Sequence, residues 1–350
     1  MTDEIKVGLV GYGFASKTFH APLLMADEGM ILKAISSSDA TKVTADWPQV
    51  DVEASASALF ARDDLDLVVI PTPNDTHYDL ASAALAAGKH VVIDKPFTVT
   101  LDEAESLTQQ ASRAGKLLSV FHNRRWDADF LTVRELLERG DLGRIAHFES
   151  HFDRYRPEVK TRWRESGAPG GGIWYDLGPH LIDQALVLFG MPEEMSLDQA
   201  CQRDGAQVDD YFHAVLRYGQ QRVILHAGSL MAAPAPRFSV HGTHGSYVKH
   251  GLDPQEDMLK RGERLPTPEW GEDHQHGLHT VADVHDAGAR PELREVPTRA
   301  GNYPAYYAGI RDAIGGRGAN PVPPEDALAV MRVLEAGRRS AQNERFERLA

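Results

Sequence analysis

The chain lacks several features that mark large protein classes. Cys201 is its only cysteine in 350 residues, which excludes an intrachain disulfide and a zinc site built on several thiolates. Its apolar runs are shorter than the roughly 18 residues needed to cross a bilayer, and no signal peptide is visible at the start. We therefore expect no membrane segment and a cytoplasmic location.

Positive charge is also scarce. Lys and Arg number 37 against 51 Asp and Glu, and the formal net charge is −14. Such a surface repels phosphates, which argues against a nucleic-acid or membrane partner but leaves room for a local basic pocket. Hydrophobic residues make up 42% and charged residues 25%, as in ordinary globular proteins, and the length suits two domains. We expect a small molecule as the ligand.

A glycine-rich turn follows the first apolar stretch, residues 5–10. Gly11 allows a tight turn there, and Gly13 lets backbone N–H groups approach a pyrophosphate at a helix N-terminus. Ser16 occupies the position where this fingerprint usually has Gly or Ala. The order of strand, turn and helix predicts a dinucleotide site, and a plain strand–turn–helix is the alternative. The predicted contacts are Gly11, Gly13, Phe14 and Ala15.

The next predicted strand, residues 31–35, ends in three serines and an acid. NAD binders usually place a carboxylate here for the ribose 2′-hydroxyl, and a carboxylate repels a 2′-phosphate. Serine hydroxyls can donate to that phosphate instead. We therefore expect NADP as the cofactor, with NAD as the alternative if Asp39 reaches the ribose and the serines form an ordinary turn. The predicted contacts are Ser36, Ser37, Ser38 and Lys42.

Two further buried strands, residues 66–70 and 91–94, each end near a proline. Proline has no N–H and stops a central strand, and ligands bind at the carboxyl edge of a parallel sheet. We predict that Asn74 or Asp75 caps the following helix. The cofactor candidates at this edge are Thr72, Pro73, Asn74 and His77, although a purely structural His77 is the alternative.

Lys95 lies at the same predicted edge. Partial desolvation there favours the neutral amine, which can exchange a proton with a hydroxyl; a surface lysine at a strand end is the alternative. The alternation of strands and helices predicts a parallel sheet, and we assign residues 1–124 to a dinucleotide-binding Rossmann domain. Asn123 and Arg125 follow its last strand as substrate candidates, unless the arginine only carries charge at the domain junction.

The pattern changes in the second half of the chain. Residues 145–153 alternate between apolar and polar, and further strands at 211–218, 222–226, 237–243 and 246–250 predict an open, mostly antiparallel sheet. We assign residues 125–350 to an α/β domain for substrate binding and oligomerisation, and we expect its C-terminal helix to pack back on the first domain. A second subunit would cover the open sheet face, so we expect a homodimer or homotetramer.

A run of three glycines, residues 170–172, leads into a helix. Asp176 and His180 are four residues apart and so lie on one face of that helix. Because Pro179 is tolerated only in a first helical turn, we expect the helix to start near Asp176, where a carboxylate suits the helix dipole. In isolation such a pair is typical of a capping Asp and a structural His. No third ligand is apparent, so we expect no metal.

Taken in order and spacing, these motifs resemble the Gfo/Idh/MocA oxidoreductases over nearly the whole chain. The matching pieces are residues 11–13, 72–74, 94–96 and 171–180. Finer detail at residues 15–20, 121–126 and 301–307 is similar to the bacterial NADP-dependent scyllo-inositol dehydrogenases. Asp94, where the family usually has Glu, and Ser16 are the two departures.

The resemblance implies Lys95, Asp176 and His180 as the catalytic set. His180 would be the base, oriented by Asp176, and Lys95 would bind the same substrate oxygen. The implied reaction is NADP-dependent oxidation of a secondary alcohol in a cyclic polyol or sugar, foremost scyllo-inositol to its 2-keto form. An aldose or another sugar as substrate, and a non-catalytic dinucleotide-sensing regulator, are the alternatives.

The site assignment includes five residues of the second half. Trp163 and Arg164 belong to the predicted cofactor set, and His151, Asp153 and Tyr175 to the predicted substrate set. The sequence signal for each of these residues is weak by itself. For Trp163 and Tyr175 the alternative is a role in packing only.

Overall fold

The computed structural model describes residues 4–161, 163–167, 169–263, 265, 267–283, 286 and 289–349. These residues form two compact units, each built from three segments of the chain. The first unit contains the described residues up to Trp126, Gln255–Trp270 and Asn302–Leu328, and the second contains the rest. The boundary expected between residues 124 and 125 stays a prediction.

The described residues form 15 strands. They are β1 Ile5–Val10, β2 Met30–Ser36, β3 Asp51–Glu53, β4 Leu67–Ile70, β5 His90–Asp94, β6 Leu118–Phe121, β7 Ile145–His151, β8 Glu194–Ala200, β9 Tyr211–Tyr218, β10 Gln221–Gly228, β11 Phe238–Gly242, β12 Gly245–Lys249, β13 Gly277–Val281, β14 Glu292–Val296 and β15 Glu347–Arg348.

The described part of the chain also contains ten α-helices. They are α1 Ala21–Met25, α2 Ala40–Asp46, α3 Ala56–Phe60, α4 His77–Ala86, α5 Leu101–Ala114, α6 Ala128–Glu138, α7 Ile173–Phe189, α8 Gln255–Lys260, α9 Pro304–Ile314 and α10 Pro324–Asn343. Within the described part of the chain, no helix is both long and apolar enough to cross a membrane.

The first unit is built on a six-stranded sheet in the order β3-β2-β1-β4-β5-β6, and every pairing in it is parallel. Its central strands are buried along almost their whole length, because helices cover both faces. This strand order is the one that places a dinucleotide at the carboxyl edge of β1 and β4. The predicted α/β Rossmann domain is confirmed.

A late segment of the chain completes this unit. Tyr306 and Tyr307 of α9 are fully buried, and the Tyr306 hydroxyl donates to Ser119 Oγ of β6 at 2.9 Å. Asn320 Nδ2 donates to the carbonyl of Leu118 at 2.8 Å, so the edge strand β6 is covered by this returning segment. Burying an edge strand removes a site for unwanted pairing.

The second unit is built on a nine-stranded sheet in the order β14-β13-β12-β11-β7-β10-β9-β8-β15. Only β7 and β10 pair in parallel, which confirms the mostly antiparallel prediction. Phe148 and Phe212 point to the face on which α7 packs, where they meet Phe189 and Trp174 at ring-centroid distances of 5.3 and 5.0 Å. Side chains alternate along a strand, so the odd-numbered residues of β7 lie on the opposite face.

Candidate cofactor cleft and catalytic residues

The turn after β1 has the backbone that a dinucleotide fingerprint requires. Gly11 has a φ of +78°, a conformation that favours glycine, and its N–H donates to the carbonyl of Ser36 at 2.9 Å. Ser16 is buried, and its hydroxyl donates to the carbonyl of Gly11 at 2.8 Å. The serine at the third fingerprint position therefore closes the turn through a hydrogen bond, where the usual glycine has none to offer.

A cleft of about 390 Å³ opens beside this turn. A Cβ placed on Gly13 would meet no other atom within 4 Å, so the backbone there faces open space and a pyrophosphate can approach it. Phe14 is 60% exposed and Ala15 precedes the π-helix Ser16–His20. The predicted residues that line the cleft are Gly11, Gly13, Ser36, Ser37, Ser38, Lys42 and Thr72. The residues present thus fit a dinucleotide.

Asp39 is engaged by its own helix. Its carboxylate caps α2 by accepting from the Lys42 N–H at 3.3 Å, and Lys42 Nζ lies 3.3 Å from its other oxygen. The hydrogen bond from Lys42 lowers the pKa of Asp39. Ser37 Oγ also bonds to the backbone of Asp39. Each Asp39 oxygen thus has a partner in Lys42. Asp39, Ser38 and Lys42 all line the cleft.

The segment after β4 is held by His77. His77 is fully buried, with Nδ1 2.9 Å from the carbonyl oxygen of Pro96 and Nε2 2.9 Å from that of Thr72. Burial lowers the pKa of this imidazole, and a neutral ring donates to one of the two carbonyls at a time. His77 thereby ties the end of β4 to the end of β5.

The predicted side-chain cap of α4 is wrong. Residues Asn74–Thr76 form a 3₁₀ turn, and α4 begins at His77 with no hydrogen bond from a capping side chain. The turn itself supplies the missing partners: the N–H of Thr76 donates to the carbonyl of Pro73 at 2.9 Å. Asn74 is buried at 5% exposure.

Asp94 and Lys95 end β5. Asp94 Oδ1 accepts from the N–H of Lys95 at 2.8 Å, and Asp94 Oδ2 lies 3.9 Å from Nε2 of the fully buried His20. Burial alone would raise the pKa of Asp94, but the nearby His20 imidazole and the charge of Lys95 bring it to about 2. His20 Nδ1 in turn lies 2.6 Å from the Tyr307 hydroxyl. Asp94 is thus an ionised carboxylate held beside Lys95.

The two arginines after β6 have partners within the first unit. Arg124 Nη2 lies 2.6 Å from Glu256, and Arg125 Nη1 lies 2.9 Å from Asp326 Oδ2 and donates to the carbonyl of Pro321. Asn123 is buried at 5% exposure. These contacts favour the structural alternative for Arg125, and a substrate role for Asn123 and Arg125 stays a prediction.

The N-terminus of α7 is fixed by a residue far away in the sequence. Asp209 Oδ2 accepts from the Trp174 N–H at 2.7 Å, and its backbone carbonyl accepts from the Ile173 N–H at 2.9 Å. Gly172 has a φ of +90°, and a Cβ there would collide with the Asp209 carboxylate. Burial raises the pKa of Asp209 to about 6. Sequence reasoning missed this cap, since no local pattern marks it.

The position expected for Pro179 is wrong. The helix starts at Ile173, so Pro179 is its seventh residue and lies beyond the first turn. The cap from Asp209 explains the early start, and the price of the proline is one backbone hydrogen bond to Tyr175. Asp176 does lie in the first turn, as expected.

Asp176 and His180 share one face of α7, one helical turn apart. Arg154 Nη1 lies 3.9 Å from Asp176 Oδ2, and Arg164 Nε lies 3.7 Å from Asp176 Oδ1. These guanidinium groups favour the ionised carboxylate. His180 is buried at 6% exposure. A carboxylate and a buried imidazole on one rigid helix can bind and deprotonate a hydroxyl.

The other predicted residues of the second unit lie elsewhere within it. Tyr175 is buried, and its hydroxyl accepts from Arg338 Nη1 at 3.3 Å. His151 ends β7 on the sheet face opposite α7, and Asp153 Oδ2 lies 3.6 Å from its Nδ1. The side chain of Trp163 lies outside the described part of the structure. The cofactor and substrate roles of these residues stay predictions.

Two family descriptions match the chain. Residues 5–122 match the NAD-binding Rossmann fold of an oxidoreductase family, and residues 134–348 match the C-terminal alpha/beta domain of the same family. The uncharacterized oxidoreductase YdgJ of Escherichia coli is 59% identical over 343 residues, 98% of both chains. The scyllo-inositol 2-dehydrogenase (NADP(+)) IolW of Bacillus subtilis is 40% identical over 344 residues, 98% of this chain and 95% of that one.

Solved structures share the fold over the full length. An oxidoreductase structure from Yersinia pestis has a TM-score of 0.94 at 58% identity and covers 99% of this chain and 97% of its own. The YvaA structure from Bacillus subtilis has a TM-score of 0.96 at 39% identity and covers 100% and 99%. The chain belongs to the Gfo/Idh/MocA family of oxidoreductases, with an NAD-binding Rossmann fold and a C-terminal α/β domain, and is an enzyme of the NAD(P)-dependent dehydrogenase type.

Proposed function

We propose that the protein is an NADP-dependent dehydrogenase that oxidises a secondary alcohol of a cyclic polyol, with scyllo-inositol and its 2-keto form as the substrate pair. The observation that carries this proposal is the 40% identity to scyllo-inositol 2-dehydrogenase (NADP(+)) IolW, which extends over 98% of the chain. The motifs around Lys95, Asp176 and His180 lie within the matched length.

The proposal gives each of these residues one role. NADP, when bound, supplies the hydride acceptor. His180 takes the hydroxyl proton as the general base, and Asp176 favours the imidazolium that results. Lys95 donates a hydrogen bond to the same oxygen and stabilises its developing negative charge, an effect that is larger where water is excluded. Asp94, ionised next to Lys95, favours the protonated amine, in place of the neutral amine expected from the sequence.

The wall of the cleft supports NADP over NAD. A 2′-phosphate needs donors and positive charge, and the cleft offers Ser37, Ser38 and Lys42. An NAD site needs a carboxylate that accepts from the ribose. Asp39 also lines the cleft, but each of its oxygens already lies 3.3 Å from a nitrogen of Lys42. A 2′-phosphate would draw Lys42 from Asp39, which remains the cap of α2.

Initial rates with a panel of inositol isomers and aldoses, each with NADP and NAD, test the proposal. We expect the highest kcat/KM for scyllo-inositol with NADP. A faster aldose would overturn the substrate assignment, and a clear advantage for NAD would overturn the cofactor assignment. Cofactor binding with no turnover of any substrate in the panel would favour the dinucleotide-sensing regulator instead.

A further inference from the structure

Three side chains that the proposed reaction does not need meet on the nine-stranded sheet. They are His151 at the end of β7, Asp153 two residues later and His226 on β10. His151 and His226 are directly opposite each other in the parallel pairing of the two strands. Both histidines point to the sheet face opposite α7. Phe148 and Phe212 point toward α7, and side chains alternate between the two faces along each strand.

The distances among these groups suit a shared metal ion. His151 Nδ1 lies 3.6 Å from Asp153 Oδ2, and His226 Nε2 lies 3.5 Å from Asp153 Oδ1. One ligand atom from each residue lies within 4.8 Å of the other two. Around tetrahedral zinc with bonds of about 2.0–2.1 Å, ligand atoms are separated by roughly 3.3 Å. Binding would therefore require the side chains to rotate inward, since ligand atoms of the cluster are separated by up to 4.8 Å.

The hydrogen bonding of the cluster is incomplete without an ion. Asp153 is 4% exposed at its side chain, yet its Oδ1 has no hydrogen-bond partner among the described residues, and neither does Nδ1 of His151. Buried polar atoms in native proteins nearly always have partners. His226 Nδ1 is a third such atom among the same three residues. An ion bound between His151 and Asp153 would give Nδ1 of His151 and Oδ1 of Asp153 a partner.

Glu149 completes the resemblance to a metal centre. Its Oε2 lies 3.0 Å from Nε2 of His151, the ring nitrogen that points away from Asp153. Histidines that bind metals usually donate their second N–H to a carboxylate, which fixes the ring and the tautomer. The Glu149 carboxylate also contacts His147 Nε2 at 2.6 Å, so its own position is held.

We propose that His151, Asp153 and His226 bind a divalent transition-metal ion, with zinc the best match, and that Glu149 orients His151. Two imidazoles and one carboxylate are ligands that zinc takes in proteins, and water would fill the fourth position. The site joins the ends of β7 and β10 and the segment that follows β7. We assign this site a structural role, as the alternative to the substrate role predicted for His151 and Asp153 from the sequence.

Zinc binding to the full-length, tag-free protein tests this inference. The protein carries Cys201→Ser, so that its lone exposed thiol cannot contribute. After removal of metal with a chelator, calorimetric titration with zinc should give one site per chain, and zinc should raise Tm. Cobalt in place of zinc should give the visible absorption of a low-symmetry, four- or five-coordinate ion.

Variants distinguish this site from other histidines. His226→Ala and Asp153→Asn should each abolish the site, and Glu149→Gln should weaken it roughly 10–100-fold. His213→Ala is the matched control. His213 is the neighbour of His226 on β9, and their ring centroids are 5.6 Å apart. The His213→Ala variant should bind zinc as the parent does. Tm in the presence of chelator verifies that each variant folds. No zinc binding by the parent, or equal affinity in parent and His226→Ala, would overturn the proposal.

Discussion

Replacing Asp209 with asparagine should stabilise the protein, and by more at pH 8 than at pH 5. Asp209 holds the N-terminus of α7, the helix of Asp176 and His180, and burial raises the pKa of its carboxyl from 3.8 to about 6. Between these two pKa values the native state binds more protons than the unfolded chain does. The contribution of the Asp209 carboxyl to stability therefore falls as the pH rises through this range.

The magnitude follows from the two pKa values. The raised pKa of Asp209 costs the native state about 2 kcal/mol at pH 5 and about 3 kcal/mol at pH 8. Asparagine removes this cost and keeps an oxygen that accepts from the Trp174 N–H. The gain in stability on substitution should thus be larger by about 1 kcal/mol at pH 8 than at pH 5, which is about 2–4 °C in Tm for a unit of this size.

Thermal unfolding of the parent and Asp209→Asn at both pH values measures the effect. Asp204→Asn removes an exposed carboxylate of the same segment and should leave Tm nearly unchanged. A Tm difference between parent and Asp209→Asn that is the same at pH 5 and pH 8 would refute the reasoning, as would a loss of stability at pH 8.

Three other predictions concern the proposed reaction and the first unit. Lys95→Ala and His180→Ala should each lower kcat, and the loss for the base His180 should be roughly 10²–10⁴-fold. Fluorescence titration should show that both variants still bind NADPH. A near-normal kcat in either variant would reject the role of that residue. Lys42→Ala should raise KM for NADP about 10-fold or more and leave KM for NAD unchanged, and an equal effect on both would exclude contact with a 2′-phosphate. Tyr307→Phe removes the hydroxyl that contacts His20 and should lower the free energy of unfolding by about 1–2 kcal/mol, as measured by chemical denaturation. An unchanged free energy of unfolding would show that this hydrogen bond is not stabilising.

Both sheets could be predicted from the sequence because their signals are local. Strands such as β4 and β5 are buried on both faces and read as continuous apolar runs, whereas β7 alternates because one face is open. The glycine turn at Gly11 was equally visible, since its geometry depends on neighbouring residues.

Features that depend on distant residues could not be predicted. Strand β8 buries only Met195 and Leu197 and is held by its pairing with β9. The short helix α8 depends on the fully buried Gln255, whose amide bonds to Trp126, Trp270 and Tyr303. The cap of α7 and the third member of the histidine–carboxylate cluster likewise come from remote positions. Only the folded chain brings such groups together.

The return of α9 to the first unit affects how the protein matures on the ribosome. Tyr306 and Tyr307 fill the interior around Phe121 and His20, with ring centroids of Phe121 and Tyr306 only 4.9 Å apart. Until those tyrosines have been synthesised and have left the exit tunnel, an emerging nucleotide-binding half keeps an uncovered apolar surface. We therefore expect the interior of the first unit to be completed only after residue 307 has emerged, well after the cleft residues 10–72.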